Sequence, residues 1–293
     1  MSYRNNSERV GTRNIDSDIP PLPELPEEEN NDRGAPSQPM SFSTPTEFVE
    51  LPSKGRFYSE DHPLYNCESV EIKFMTAKEE DILTSKTLIK KNLAIDRLLS
   101  SLLINKKINI DDLLLGDKNA LVVASRITGY GSDYSTRITC PACSETTVYS
   151  FNLDEALPYY GLEKDETEVI CTENDTFIIT VPRTKASVEI KFLTGHDEKR
   201  INKAEQNRKK HNLPETLTTT ALHAFIVSVN GNSDFSYIKS FIESAPAADA
   251  RYLRSAYKKI TPNIDLSHNY VCSSCDFEQD MEVPFTADFF WPK

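Results

Sequence analysis

Along the chain, short stretches of alternating apolar and polar residues are separated by longer ones in which apolar residues recur every three or four positions. VEIKF, Val70–Phe74, sets Val70, Ile72 and Phe74 on one face and Glu71 and Lys73 on the other, the period-two pattern of a half-buried strand. Ahead of it FVELPSKGRFY, Phe48–Tyr58, alternates, meets Pro52 and then the turn signal SKG. It reads as an extended arm followed by a turn. Helical spacing follows. TAKEEDILTSKTL opens with Thr76 as N-cap and Glu79 three residues on, the capping-box pattern. NLAIDRLLSSLLI and DKNALVVASRITGYG carry apolar residues at helical spacing, and the second ends in glycine, a helix stop. Two β segments, STRIT and TVYSFNL, then flank a pair of cysteines.

From about Glu168 a similar order returns. DTFIITVP and SVEIKFLT read as a β-pair, HDEKRINKAEQNRKKH as a polar helix, TLTTTALHAFIVSV as an apolar one and NGN as a turn. DFSYIKSFIESA and ADARYLRSAYKKI are further helices, followed by HNYV, a second cysteine pair and MEVPF.

One strand is spelled almost identically twice, as SVEIKFMT from Ser69 and SVEIKFLT from Ser187. Similarity continues beyond it, Thr76 corresponding to Thr194 and Glu80 to Glu198. The strands recur at an offset of 118 and the cysteine pairs at 132, so the second copy would carry insertions of 14 residues among its helices, where loops tolerate them. The pattern predicts an α+β fold of two related lobes produced by internal duplication. Its expected segments are an arm over 1–46, a first lobe over 47–160 and a second over 161–293.

Composition changes the picture mainly at the N-terminus. IPPLPELPEEENNDRGAPSQP is rich in proline, acid and amide and poor in aliphatic residues, too apolar-poor to offset its own ordering entropy. Disorder is expected there, with PPLPELP favouring polyproline II as either a solvated tail or a docking peptide. The first 50 residues hold ten acids against four arginines, half of the net charge of −12. An acidic balance argues against nucleic acid as the main partner, because such affinity comes largely from neutralising phosphates. The run KRINKAEQNRKK, Lys199–Lys210, is the one local basic candidate, and a solvated helix face accounts for it. No stretch approaches the roughly 20 apolar residues that span a bilayer. Nor is there an apolar signal core, which places the expected setting in a reducing, cytosol-like compartment without structural disulfides.

Four of the six cysteines form two CxxC pairs, Cys140 with Cys143 in TCPACS and Cys272 with Cys275 in VCSSCD. A CxxC turn between β segments points two thiolates at one centre, and two such knuckles complete a tetrahedral zinc site. Cys143 and Cys272 lie 129 positions apart, far beyond the roughly 15–20 of an ordinary zinc ribbon. Duplication resolves this: if each lobe ends in one knuckle, pairing the lobes brings the knuckles together. Four thiolates leave no open position, so the zinc is expected to be structural. Metal-free thiols or an iron–sulfur cluster are the other readings of four such cysteines. A thioredoxin-like pair is disfavoured, since neither CxxC stands between a strand and a following helix. Cys67 and Cys171 lack partners at ligand spacing and read as ordinary buried residues. His268, four residues before Cys272, is a weaker candidate ligand.

No GxxxxGK[ST], GxGxxG, HExxH or GxSxG motif occurs, and the five histidines are scattered. No catalytic residue is assigned, and a non-enzymatic protein is expected. FTADFFWPK, with the single tryptophan Trp291, reads equally as core or as an apolar plug for a partner.

The combination FVELPSKGRFY…VEIKFMTAKEEDIL…LLLGDKNALVVASRITGYG…ITCPAC…YSFNLDEA resembles the baseplate hub subunit or hub-assembly family of T-even-type contractile bacteriophages. The resemblance is carried by about Phe48–Ala156, and more loosely afterwards by VEIKFLTGHDE, CSSC and the aromatic end. It implies a structural or assembly role at the tail baseplate hub, with other hub and tail proteins as partners, in the host cytoplasm during assembly and then either retained in the virion tail baseplate or released as a chaperone. No small-molecule substrate, nucleic acid or membrane is expected. The alternative is a zinc-ribbon nucleic-acid-binding adaptor using the basic run near Lys199. A redox or metal-dependent enzyme would need an open coordination position or a cysteine of low pKa.

Overall fold

The computed structural model describes residues 43–161, 169–214, 216–283 and 287–290. The expectations for the arm over 1–42 and for Trp291 lie outside them. The first elements follow the sequence pattern closely. Strand β1 (Thr46–Glu50) pairs antiparallel with β2 (Ser69–Lys73), Val49 opposite Val70. Val49, Val70 and Ile72 are buried, as alternation requires. The SKG turn lies between them. Gly55 there has φ +71°, and a Cβ would stand 2.4 Å from the Leu64 carbonyl oxygen, so this turn needs glycine.

Helix α1 (Ala77–Thr84) starts at the Thr76 cap, whose N–H donates to the Glu79 carboxylate at 3.2 Å. The expected single helix over Thr76–Leu88 breaks at Ser85, which is extended, and continues as α2 (Lys86–Lys90). Helix α3 (Ala94–Leu102) and α4 (Leu115–Tyr130) follow, α4 closed by Gly131 at φ +82°. Strands β3 (Asp133–Thr139) and β4 (Thr146–Asn152) form a hairpin, and β5 (Leu157–Tyr159) ends this half.

In the second half, β6 (Val169–Cys171), β7 (Phe177–Thr180), β8 (Ser187–Ile190) and β9 (Ile226–Val229) make one antiparallel sheet in that order. Helix α5 (Gly195–Lys210) and α6 (Leu217–Phe225) connect β8 to β9. The expected helix over Thr216–Val229 thus stops at Phe225. Its last residues, IVSV, include three β-branched ones, Ile226, Val227 and Val229, and pair with β8, so sheet contacts override helical continuation. Then come α7 (Phe235–Ser244), α8 (Ala247–Ile260), β10 (Asn263–Asp265) and a hairpin of β11 (Ser267–Val271) and β12 (Glu278–Glu282). Strand β10 pairs with β5 of the first half.

The halves share more than their order. In each, a lysine at the end of the strand or just beyond it binds the acid at the third helical position: Lys73 with Glu79 at 2.7 Å and Lys191 with Asp197 at 2.8 Å. Each also has a fully buried aspartate at the third position of a later helix, Asp117 in α4 and Asp249 in α8. Asp117 accepts the Ser53 N–H, and Asp249 accepts the Arg183 and Thr184 N–H groups. Both carboxylates therefore hold the turn that follows a Leu-Pro or Val-Pro step.

The described residues from Ser43 onward pack as one unit. The start of α5 docks on the first half. Gly195 N–H donates to the Leu113 carbonyl at 3.0 Å, and Leu115 N–H to the Leu193 carbonyl at 3.0 Å. Buried Lys118 is clasped at 2.6 Å by both Asp96 and Glu198, and Lys199 reaches Asp96 at 3.1 Å and also Asp111. The aromatic end belongs to the core: Phe289 and Phe290 are buried, Phe289 lies edge-on to Tyr134, and its carbonyl accepts from Arg126 Nε at 2.7 Å.

Glu79 gives a pH signature. Burial works against its charge, but bonds from Lys73, Ser101 and Thr76 outweigh this and hold the carboxyl at about 2. A carboxyl pKa lowered by folding stabilises above its unfolded value, about 4.5, and that stabilisation fades as pH falls toward 2. Glu79→Gln is expected to cost about 3 kcal/mol at pH 7 and progressively less below about pH 4.5. Urea midpoints of both proteins at pH 7, 4 and 3 measure this, and a pH-independent gap would contradict it.

Candidate metal centre

The β3–β4 and β11–β12 hairpins end in the same turn. Cys140 N–H donates to the Glu145 carbonyl at 2.8 Å and Ser144 N–H returns to the Cys140 carbonyl at 2.9 Å. Cys272 N–H donates to the Phe277 carbonyl at 2.9 Å and Asp276 N–H returns to the Cys272 carbonyl at 3.0 Å. Ser144 and Asp276 both have positive φ, 60° and 56°. In each turn the first cysteine is buried and the second exposed.

Aromatic packing holds one hairpin against the other. The Tyr149 ring meets Tyr270 edge-on at 5.2 Å and His268 at 5.7 Å, and its hydroxyl donates to the Asn269 carbonyl at 3.2 Å. This juxtaposition brings all four sulfurs within 4.8 Å of one another. Cys140 Sγ lies 3.8 Å from Cys275 Sγ, and Cys143 Sγ 3.8 Å from Cys272 Sγ. A tetrahedron with metal–sulfur bonds of about 2.3 Å has edges of about 3.8 Å, whereas a disulfide requires about 2.05 Å. The spacing suits four thiolates around one ion.

Electrostatics favours the same conclusion. The Ser274 N–H, against the cost of desolvation, and then the Cys275 N–H and Tyr270 hydroxyl bring Cys272 down to about 6. Cys275 is pushed up to about 12: the Phe277 N–H favours its thiolate, but the neighbouring Cys143, Cys272 and Cys140 sulfurs oppose it. Four thiolates so close repel one another, and a divalent cation removes the conflict. The donor set is all sulfur, which selects soft or borderline ions with tetrahedral preference. Zinc bound here would have no open coordination position, and its chemistry would be to fix structure.

Among the described residues these four form the one group of His, Cys, Asp or Glu close enough to share an ion. His268 is elsewhere: it faces Tyr149 and Phe151, with Nδ1 3.6 Å from Glu155. Cys67 and Cys171 are half-buried against the core rather than fully buried, each with its sulfur 3.6 Å from a backbone carbonyl. The basic run lies on α5, where Lys199 and Arg200 are paired with acids. Among the described residues no helix is long and apolar enough to cross a membrane.

The sequence reading missed Tyr149 and Tyr270. The signal was present, since Tyr270 stands two residues before Cys272 in a strand and so shares its face.

A family model described as T4 bacteriophage base plate protein matches residues 44–291. No curated protein and no solved structure matches the chain.

Proposed function

We propose that this chain, which belongs to the family of T4 bacteriophage base plate proteins, is a non-enzymatic scaffold of the baseplate hub that binds other hub and tail proteins. In this reading one zinc ion, held by Cys140, Cys143, Cys272 and Cys275, fixes two related lobes, 47–160 and 161–293. The observation that carries it is the meeting of four sulfurs, two from each half, at tetrahedral spacing in a chain of a baseplate family. Three repeated devices support an ancestral duplication: the strand-to-helix lysine–acid pair, the buried aspartate under a proline turn, and the knuckle.

A scaffold needs rigid relative placement of its surfaces and no reacting group. A closed sulfur site supplies the rigidity. The nucleic-acid alternative is less favoured, because the net charge is −12 and the basic helix already spends Lys199 and Arg200 on acids.

The test is complementation. A phage lacking the protein is supplied with the wild-type chain or with Cys140→Ser/Cys272→Ser. Wild type should restore tails with complete baseplates, the double variant should leave hubs unfinished, and quantitative mass spectrometry should find the wild-type chain with hub proteins in virions or assembly intermediates. Normal baseplates without the chain, or salt-sensitive binding to nucleic acid as its main association, would overturn the reading.

A further inference from the structure

We propose that the outer edge of β1 is a docking site for a β-strand of a partner protein, an extended segment in which apolar residues alternate with lysine or arginine. The proposal rests on the scaffold reading above for the partner's place in the tail. It goes further in naming the surface and the chemistry of what binds there.

The register of β1 on β2 shows which backbone groups are used. Phe74 N–H donates to the Pro45 carbonyl at 2.9 Å, and Leu51 N–H to the Glu68 carbonyl at 2.8 Å. Pro45 and Leu51 thus stand in hydrogen-bonded pairs at the two ends of a ladder that runs from Thr46 opposite Lys73 to Glu50 opposite Ser69. Antiparallel pairs alternate between bonded and non-bonded. Glu47 and Val49 therefore bond to β2, while the N–H and C=O groups of Thr46, Phe48 and Glu50 point the other way. Among the described residues no further strand takes them, for β1 and β2 form a sheet of two. The far side of β2 is covered: the Glu71 carbonyl accepts the Ile104 N–H at 3.2 Å, and Ile72 is bridged to Leu103. Of this pair β1 has the open edge, and a row of unpaired N–H and C=O groups is a template for another strand.

A groove of about 240 Å³ runs beside that edge. Ala120, Val123, Ala124 and Ile127 of α4 line it, their spacing being that of one helix face. The two alanines leave room for side chains from the inner face of an added strand. Pro158 of β5 lines the groove as well. It has no N–H to offer a ladder, so an incoming strand pairs with β1 and not with β5. Phe48 is 69 % exposed and offers that strand an apolar cross-strand contact on its outer face. At one end Tyr160 donates to the Glu50 carboxylate at 2.6 Å.

Charge selects the occupant. The charged residues lining the groove, Glu47, Glu50 and Asp154, are all acidic, and a strand bearing lysine or arginine complements them. A second copy of this chain is a poorer fit, because pairing β1 with β1 gathers Glu47 and Glu50 of both copies in one seam.

The experiment pans the full-length chain against a display library of random short peptides and measures binding of the enriched sequences after synthesis. They are expected to alternate apolar with basic residues and, when bound, to slow hydrogen exchange at the amides of Thr46, Phe48 and Glu50. Phe48→Pro removes an outward N–H and spares the bonds to β2, so the folded variant should bind them about tenfold more weakly. Glu47→Lys/Asp154→Lys should weaken binding by a similar factor. Enrichment only of acidic peptides, or of peptides that bind both variants as they bind wild type, overturns the proposal. Self-association of the wild-type chain that Phe48→Pro abolishes overturns it too, by giving the edge to a second copy. In phage complementation Phe48→Pro should leave baseplates incomplete. Complete baseplates with this variant, folded by circular dichroism, sink the docking site and spare the scaffold reading, whereas complete baseplates without the chain sink the scaffold reading itself. Should Phe48→Pro not fold, Glu47→Lys/Asp154→Lys decides both assays by the same criteria.

Discussion

Stripping the metal from the folded chain is expected to part the two cysteine hairpins and melt the junction between the halves. Structural zinc in small four-ligand sites contributes on the order of 10 kcal/mol at pH 7, as much as the whole stability of a typical domain, about 5–15 kcal/mol. Each hairpin is a separate two-stranded sheet, and such ribbons are marginal alone in water. Their mutual contacts are chiefly the aromatic group of Tyr149, Tyr270, His268 and Phe151. Without the ion, that group must hold a site whose four thiols repel on ionisation. Thermal unfolding with and without a strong zinc chelator measures the effect, with zinc added back as the reversal. Cys272→Ala should match the chelated protein, while Cys67→Ser and Cys171→Ser should leave melting and zinc content alone. Equal melting curves with and without chelator, in a chain proven to hold zinc, would show that the ion does not brace the fold.

The second large effect is expected at Asp117. Its carboxylate accepts the Ser53 N–H at 2.9 Å, the Ser53 hydroxyl at 2.6 Å and the Tyr58 hydroxyl at 2.7 Å, and Tyr58 Oη in turn accepts the Leu114 N–H at 3.0 Å. All four residues are buried. Burial pushes the Asp117 carboxyl up, partly offset by the Ser53 and Tyr58 bonds, and the same burial with the nearby carboxylate drives Tyr58 far above the usual phenol range. Asp117→Ala strands one N–H and two hydroxyls and removes the tie between the Pro52 turn and the start of α4. A loss of about 3–5 kcal/mol follows from breaking such a buried network on one side. Asp249→Ala should behave similarly: burial there is outweighed by the Thr184 and Arg183 N–H groups, which hold its carboxyl below the usual range. Urea unfolding followed by circular dichroism tests both variants. A cost below about 1 kcal/mol at either site would mean that water replaces the carboxylate and the turn is not held by it.

Much of the local structure was legible because it is decided within a few residues. The alternation in VEIKF, the Thr76–Glu79 capping box and the glycine after Tyr130 all appear where the pattern places them. IVSV was misread because its neighbours in sequence are helical, while its partner β8 lies some forty residues away. The break at Ser85 carried no proline or glycine to announce it. The aromatic end stood evenly between core and plug until Tyr134 and Arg126 were found packed on Phe289.

The sequence by itself determined the chemistry of the centre: two CxxC turns of equal form, each on a hairpin, in an acidic chain with no catalytic motif. It also carried a repeated strand that hinted at why the pairs belong together. Only the tertiary structure decided that the four sulfurs meet, that Lys118 is clasped between Asp96 and Glu198, and that Tyr149 of one hairpin packs edge-on against Tyr270 of the other. The reason is physical. Turn and strand geometry depends on backbone sterics and side-chain period, which neighbours in sequence set. Convergence of groups more than a hundred residues apart depends on which faces bury against each other, and that is settled by the packing of the whole chain.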